Sequence, residues 1–81
     1  MTWELHYSRW VITYLVALRE TGADVRRAIR SLQNTTDGFP PEGITQLEQN
    51  IYLWEVAGHL VIYERQPEQS RLRVVVVESM D

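Results

Sequence analysis

Arginine and histidine are the residues of this chain best suited to act on a charged ligand. All eight Lys+Arg positions are arginine, whose planar guanidinium binds phosphate or carboxylate through paired hydrogen bonds. The candidates for phosphate binding or catalysis lie in the second half of the chain: Arg65, Arg71, Arg73 and His59. His59 is included because imidazole titrates near neutrality and can transfer protons. No third ligand lies at a recognisable spacing from His6 and His59, so no metal site is predicted.

The same residues also have structural interpretations, which the sequence leaves open. Arg71 and Arg73 alternate along one predicted strand, so their side chains lie on the same face of a sheet. There they could form ion pairs with Glu55 or Glu64 of neighbouring strands. His59 follows a predicted hairpin turn, where a polar side chain needs no catalytic role.

A second arginine cluster lies on a predicted helix. The apolar stripe of that helix consists of four residues at helical spacing: Val25, Ala28, Ile29 and Leu32. Arg26, Arg27 and Arg30 fall off this stripe and should point to solvent. They are candidates for contact with nucleic acid or with an acidic partner protein, and the alternative is a solvated helix face.

Composition narrows the classes of function. The chain has 81 residues, a net charge of −3 and no cysteine, so we expect one domain over residues 1–81 without disulfides or thiolate–metal sites. The acidic balance argues against general nucleic-acid binding, which normally uses a basic excess. The apolar run from Trp10 to Leu18 is too short to span a bilayer, and Glu4 stands where a signal peptide would be basic. We therefore expect a cytoplasmic protein with no cofactor and no membrane contact.

The elements that position these residues follow from apolar periodicity and turn signals. They are, in order, a strand at residues 2–7, a helix at 9–21 closed by Gly22, a second helix from Asp24 to about Gln33, a loop at 34–46, and three strands between Ile51 and Ser79. Consecutive valines in the last strand indicate a central position, buried on both faces. The predicted fold is α+β, in the order β-α-α-β-β-β. A four-stranded antiparallel-type sheet, with the last strand central, carries a helical hairpin on one face.

Strand alternation divides the side chains of the last three strands between two faces. The aromatic residues expected in the core or at its rim are Trp3, Trp10, Tyr14, Trp54 and Tyr63. The opposite face mixes an apolar centre with charges, which is typical of a surface that binds another protein. The predicted partner-binding residues are Leu53, Glu55, Leu60, Ile62, Glu64 and Val75, and Arg71, Arg73 and Val77 are assigned to the same face.

Four stretches of the sequence, taken in order, form a pattern that resembles a known family. Residues 3–8 read Trp-Glu-Leu-His-Tyr-Ser, and residues 40–47 read Pro-Pro-Glu-Gly-Ile-Thr-Gln-Leu. Residues 51–58 read Ile-Tyr-Leu-Trp-Glu-Val-Ala-Gly, and residues 61–64 read Val-Ile-Tyr-Glu. With the helical hairpin between the first two stretches, this arrangement resembles the RelE/ParE superfamily of small bacterial toxins. The resemblance implies the toxin of a type II toxin–antitoxin pair, neutralised by an antitoxin protein. RelE-like members are ribosome-dependent endoribonucleases that cleave mRNA, and ParE-like members inhibit DNA gyrase.

Several positions at which RelE-like enzymes carry basic residues are not basic here. Leu53, Glu55 and Leu60 stand at basic strand positions, and Gln46 stands at a lysine position. RNA cleavage through the 2′-hydroxyl needs a proton acceptor, a proton donor and cations at the phosphate. Two alternatives therefore stand beside an active toxin. One is a non-catalytic protein-interaction or homodimerisation module on the same fold, and the other is an unrelated small α+β domain.

Overall fold

The amino-terminal half of the chain forms one strand and two helices. A computed structural model describes residues 2–80, with β1 at Glu4–Tyr7, α1 at Arg9–Leu18 and α2 at Ala23–Ser31. Ser8 begins α1 because its side-chain oxygen accepts a hydrogen bond from the Val11 N–H at 3.3 Å. This contact satisfies one of the backbone donors that the first helical turn leaves without a partner.

The first helix is shorter than the sequence predicts, and it does not end at Gly22. It ends at Leu18, because Arg19 has a positive φ of 53° that turns the chain out of the helix. A 3₁₀ turn at Arg19–Gly22 then leads directly into α2. Gly22 has an ordinary φ of −93°, but a Cβ there would lie 2.9 Å from the Leu18 Cβ. Glycine is therefore needed for close packing at this corner and not for a left-handed conformation.

The sheet has five strands, one more than predicted. The helices are followed by β2 (Ile44–Glu48), β3 (Ile51–Val56), β4 (His59–Gln66) and β5 (Arg71–Ser79), and the strand order is β1-β5-β4-β3-β2. The extra strand, β2, begins within the predicted loop, and none of its residues is buried, so no apolar alternation marks it. β5 pairs antiparallel with β4 and parallel with β1. The central position of the last strand is therefore confirmed, in a sheet that is mixed instead of wholly antiparallel.

Both helices pack on one face of the sheet, which confirms the predicted α+β arrangement. The buried hydrophobic side chains come from both layers: Trp3, Val11, Leu15, Val25, Ile29, Leu32, Tyr52, Trp54, Val61, Tyr63, Leu72, Val74 and Val77. The sequence predicts Trp10 among them, but its side chain is 82% exposed. Successive helix residues are about 100° apart, so a stripe centred on Val11 and Leu15 leaves Trp10 at its margin.

A β-bulge in β5 changes which side chains face the core. The ladder between β4 and β5 shifts register at Ile62/Tyr63, which leaves Val75 without a counterpart on β4. Beyond the bulge, Val76 lies opposite Ile62, and Val77 lies in the core at 6% exposure. The prediction that Val77 faces away from the helices is therefore wrong, because the bulge reverses the alternation on which it depends.

Candidate protein-interaction surface

One face of the sheet carries apolar side chains that no element within residues 2–80 covers. It is termed the open face, and its apolar members are Leu53 of β3, Leu60 and Ile62 of β4, and Val76 of β5. Leu53 pairs with Ile62, and Ile62 pairs with Val76, so these three side chains form one row across three strands. All four are partly exposed, and none belongs to the residues packed against the core. Such a row at the surface is typical of a site that another protein covers.

Acidic side chains flank the apolar row at one end of the open face. Glu55 of β3 and Glu78 of β5 lie on either side of Leu60 in the ladder, and both are exposed. Neither forms an ion pair with any other described residue. Both carboxylates are therefore available to a positively charged segment of a partner.

The other end of the open face carries charges of both signs. Arg73 lies between Glu64 of β4 and His6 of β1 in the ladder. It is exposed and forms no ion pair in the part of the chain that the structure describes. Glu64 instead accepts a hydrogen bond from Gln66 Nε2 at 3.1 Å. Arg73 is therefore the cation on this face that is most open to an acidic group.

Arg71 has its ion partner on β1, and not on β3 or β4. Its Nε lies 3.9 Å from the Glu4 carboxylate, which is also in contact with His6. The hydrogen bond and the charge of His6 hold the pKa of Glu4 below its ordinary value. Among residues 2–80, the alternative ion pairs of the arginines with Glu55 or Glu64 are not formed.

Arg65 stabilises the fold and stands apart from the other candidate cations. Its Nε donates a hydrogen bond to the Asp37 carbonyl oxygen at 2.8 Å. Its guanidinium carbon lies 4.4 Å from the centre of the Phe39 ring and 5.4 Å from that of Trp3, within the range of cation–π attraction. Because these partners lie on the helix-covered side of the sheet, Arg65 does not meet Arg73 on the open face.

His59 connects the β3–β4 hairpin to α1. Its Nε2 lies 3.1 Å from Tyr14 Oη, and its Nδ1 lies 3.0 Å from the Ala57 carbonyl oxygen. A carbonyl oxygen can only accept, so Nδ1 carries a hydrogen and donates it to the Ala57 carbonyl. His59 begins β4, whereas Arg65 lies near its other end. Of the four predicted catalytic residues, Arg71 and Arg73 therefore lie close together on β5, and His59 and Arg65 stand apart from them, so the four do not form one constellation.

The helix arginines face solvent at two of the three predicted positions. Arg27 and Arg30 are exposed, and their contact with nucleic acid stays a prediction. Arg26 is partly buried instead: its Nη1 donates to the Leu15 carbonyl at 2.9 Å, and its Nη2 donates to the Arg19 carbonyl. The end of a helix leaves such carbonyls without intrahelical partners. Arg26 therefore connects the two helices, which corrects its predicted solvent orientation.

Two members of this surface, Val76 and Glu78, are absent from the residues predicted from sequence. The bulge brings Val76, instead of Val75, opposite Ile62, although both valines are partly exposed, and a run of valines carries no marker of a bulge. Glu78 follows Val76 at strand spacing, so it can be assigned to the open face only once the bulge is known.

Comparison with known proteins gives no family assignment: no protein-family model matches the chain, and no curated protein matches it. The described residues include no helix long and apolar enough to cross a bilayer. They also include no group of three side chains placed to hold a metal ion. Function must therefore be inferred from the open face and the charges around it.

Proposed function

We propose that this protein acts by binding another protein through the open face of its sheet, and that it does not cleave RNA. The observation that carries the proposal is the row formed by Leu53, Ile62 and Val76, three partly exposed apolar side chains aligned across β3, β4 and β5. Removing apolar surface from water stabilises a complex by about 25 cal/mol for each Å² of apolar surface buried. Phosphate binding would instead need cations at these positions.

The charges at the two ends of the row give a partner its orientation. Glu55 and Glu78 favour a basic segment at one end, and Arg73 favours an acidic group at the other. Complementary charges at the rim contribute more to specificity and association rate than to affinity. The expected partner surface therefore has an apolar centre with basic and acidic residues on opposite sides.

In this proposal the protein is a RelE/ParE-like toxin that acts in the cytoplasm on a protein target such as gyrase. Its neutralising partner is an antitoxin that covers the open face. The order of the elements, with the last strand beside the first, supports the proposed relationship. A non-catalytic interaction module would use the same face, and it differs from a toxin in having no effect on growth.

Ribosome-dependent RNA cleavage is the second candidate, and one observation favours it. Arg73 and His6 are partners in the β1–β5 ladder, and Arg71 lies two residues from Arg73, so two cations and an imidazole lie close together. Glu4 and Glu64 stand beside them, however, and would repel a phosphate group. Cleavage therefore ranks below protein binding.

Expression of the chain alone in a bacterial host tests the proposal. We expect growth to arrest while the mRNA stays intact, as measured by mapping its 5′ ends. We also expect affinity purification of the chain to capture a partner protein. Ile62→Glu should abolish arrest and capture, because a carboxylate in the apolar row would be buried without a partner. Ile12→Glu is the matched control, since Ile12 is 51% exposed on α1, away from the open face.

Different outcomes separate the candidates. Cleavage at defined codon positions, lost in Arg73→Gln, would favour the nuclease and overturn the proposal. Equal effects of Ile62→Glu and Ile12→Glu, with both variants folded by circular dichroism, would also overturn it. Capture without growth arrest would retain protein binding and favour the non-catalytic module.

A further inference from the structure

The outer face of α1, which points away from the sheet, is apolar. Trp10 and Val16 are the two most exposed large hydrophobic side chains among residues 2–80, at 82% and 70%. Thr13 and Ala17 lie between them at about 100° per residue, and both are exposed. Two adjacent turns of helix therefore expose an apolar surface of the kind that another protein covers.

Charged side chains stand at the two ends of this outer face. Arg9 is the first residue of α1, and Arg19 and Glu20 begin the 3₁₀ turn that follows it. All three are exposed, and none forms an ion pair with another described residue. The helix between them rises about 15 Å at 1.5 Å per residue. The outer face therefore has a cation at one end of its apolar centre and a cation–anion pair at the other.

The open face of the sheet has the complementary arrangement at the same spacing. Its acidic end carries Glu55 and Glu78, and its mixed end carries Glu64 and Arg73, which are partners in the ladder. Along β5, Glu78 and Arg73 stand about 16 Å apart at 3.3 Å per residue, and the bulge between them shortens this slightly. The apolar row lies between the two ends.

We propose that α1 of one copy of this chain packs on the open face of the next copy. Trp10 and Val16 then cover the apolar row. Arg9 lies over the acidic end, and Arg19 and Glu20 lie over the mixed end, where each finds an opposite charge. The contact needs the open face to bind protein, so it rests on the proposed function and names a second copy of the chain as one occupant of that surface.

Charge favours this head-to-tail contact over a symmetric one. Residues 9–31 carry five arginines and two acidic residues, whereas residues 44–79 carry three arginines and five acidic residues. The helical segment is therefore positive, and the segment that forms β2 to β5 is negative. Two α1 faces, or two open faces, would bring like charges together, whereas α1 on the open face joins opposite charges.

The contact does not close on itself, because α1 and the open face lie on opposite sides of the sheet. Such a heterologous contact continues from copy to copy and builds a stack. Within the stack each sheet has helices on both faces, which buries both of its apolar sides. Stacking covers the open face of every copy except the one at the end, so self-association competes with any other partner.

Sedimentation velocity of the full chain over a range of concentrations tests the stack. We expect species that grow beyond two copies as the concentration rises. Ile62→Glu on the open face and Val16→Glu on α1 should each raise the Kd about tenfold or more, because each places a carboxylate in an apolar contact. An equimolar mixture of these two variants should form a dimer that grows no further, since one intact surface of each kind remains.

Charge reversal provides a second test that leaves the apolar side chains unchanged. Arg9→Glu and Glu78→Arg should each raise the Kd about fivefold or more, because each creates a like-charge contact. The double variant should return the Kd close to the wild-type value. Glu42→Arg is the matched control, since it makes the same charge change at an exposed position outside the helices and strands. Circular dichroism verifies that every variant is folded.

A wild-type chain that stays monomeric at every concentration would overturn the proposed stack. So would a mixture of Ile62→Glu and Val16→Glu that stays monomeric, or an assembly that only one of these two variants disrupts, which indicates a symmetric contact. A monomeric chain whose growth arrest and partner capture are still lost in Ile62→Glu would retain the proposed function without the stack. A stack that forms as described, in a chain that captures no other protein, would retain the stack alone.

Discussion

Arg65 holds the segment before β2 against the rest of the fold, so replacing it with methionine should destabilise the protein. The Nε hydrogen bond to the Asp37 carbonyl is charge-assisted, and its loss at this partly exposed site should cost about 1.5 kcal/mol. Loss of the cation–π contacts with Phe39 and Trp3 should add about 0.5–1 kcal/mol. Because methionine keeps the aliphatic length, the expected total is about 2 kcal/mol of unfolding free energy.

Urea and thermal unfolding, followed by tryptophan fluorescence, measure this change. In a domain of 81 residues, a loss of about 2 kcal/mol should lower Tm by roughly 8–16 °C. Arg73→Met is the matched control, because Arg73 is exposed and forms no ion pair with another described residue. Its free energy of unfolding should change by less than about 0.5 kcal/mol. Arg65→Lys keeps a charge near the rings but loses the guanidinium geometry, and should give an intermediate loss.

Equal unfolding free energies for Arg65→Met and Arg73→Met would refute this reasoning. The contacts of Arg65 with Asp37 and Phe39 would then contribute nothing to stability. Arg65 would become available as a phosphate ligand again, and a stable Arg65→Met variant that no longer arrested growth would indicate that role.

Four further substitutions, of which Arg27→Met is a control, test other contacts. Arg26→Met should lower the free energy of unfolding by about 1–2 kcal/mol, because carbonyls at the end of α1 lose a charged donor. Arg27→Met should change it by less than about 0.5 kcal/mol, and urea denaturation compares the two. Tyr63 is buried and donates to the Gly38 carbonyl at 2.9 Å, and burial raises the pKa of its phenol above the ordinary 10.0. The stability that this neutral phenol contributes is therefore complete below pH 10 and is lost as the pH rises above it. Tyr63→Phe should flatten that decline in urea titrations at increasing pH. Ile29→Ala empties a fully buried position and should reduce the free energy of unfolding by about 2–5 kcal/mol, measured as a fall in Tm.

Strands β3 and β4, and β5 up to its bulge, are the part of the fold that the sequence predicts best, because buried and outward side chains alternate there. Tyr52 and Trp54 face the core, and Leu53 and Glu55 face the other side, as a period of two requires. The apolar stripe of α2 is predicted for the same reason, because its buried residues recur at the spacing of a helix. In each case the local pattern directly reflects burial, so the sequence contains the information.

The features that the sequence does not predict lack such a local signal. β2 is an edge strand whose residues all remain at least partly exposed, so it resembles a loop in composition. Arg26 has a stem long enough to reach either solvent or the neighbouring helix, and its acceptors exist only because Arg19 ends α1. The bulge at Val75 depends on pairing with β4, and strand alternation alone cannot reveal it. The apolar centre of the open face is therefore predictable, and its edge at β5 is not.

The pairing of β1 with β5 makes folding of this domain depend on the synthesis of β5. The Ser8 hydroxyl donates to a carbonyl 67 residues later in the chain. Closing a loop of that length costs conformational entropy, which is offset only when the contacts between β1 and β5 have formed. β1 and both helices leave the ribosome first, but the strands that cover their apolar side chains follow later. A nascent chain without β5 therefore exposes residues such as Ile29 and leaves β1 unpaired. Such chains are expected to engage chaperones or proteases, so this domain can fold only after β5 has been synthesised.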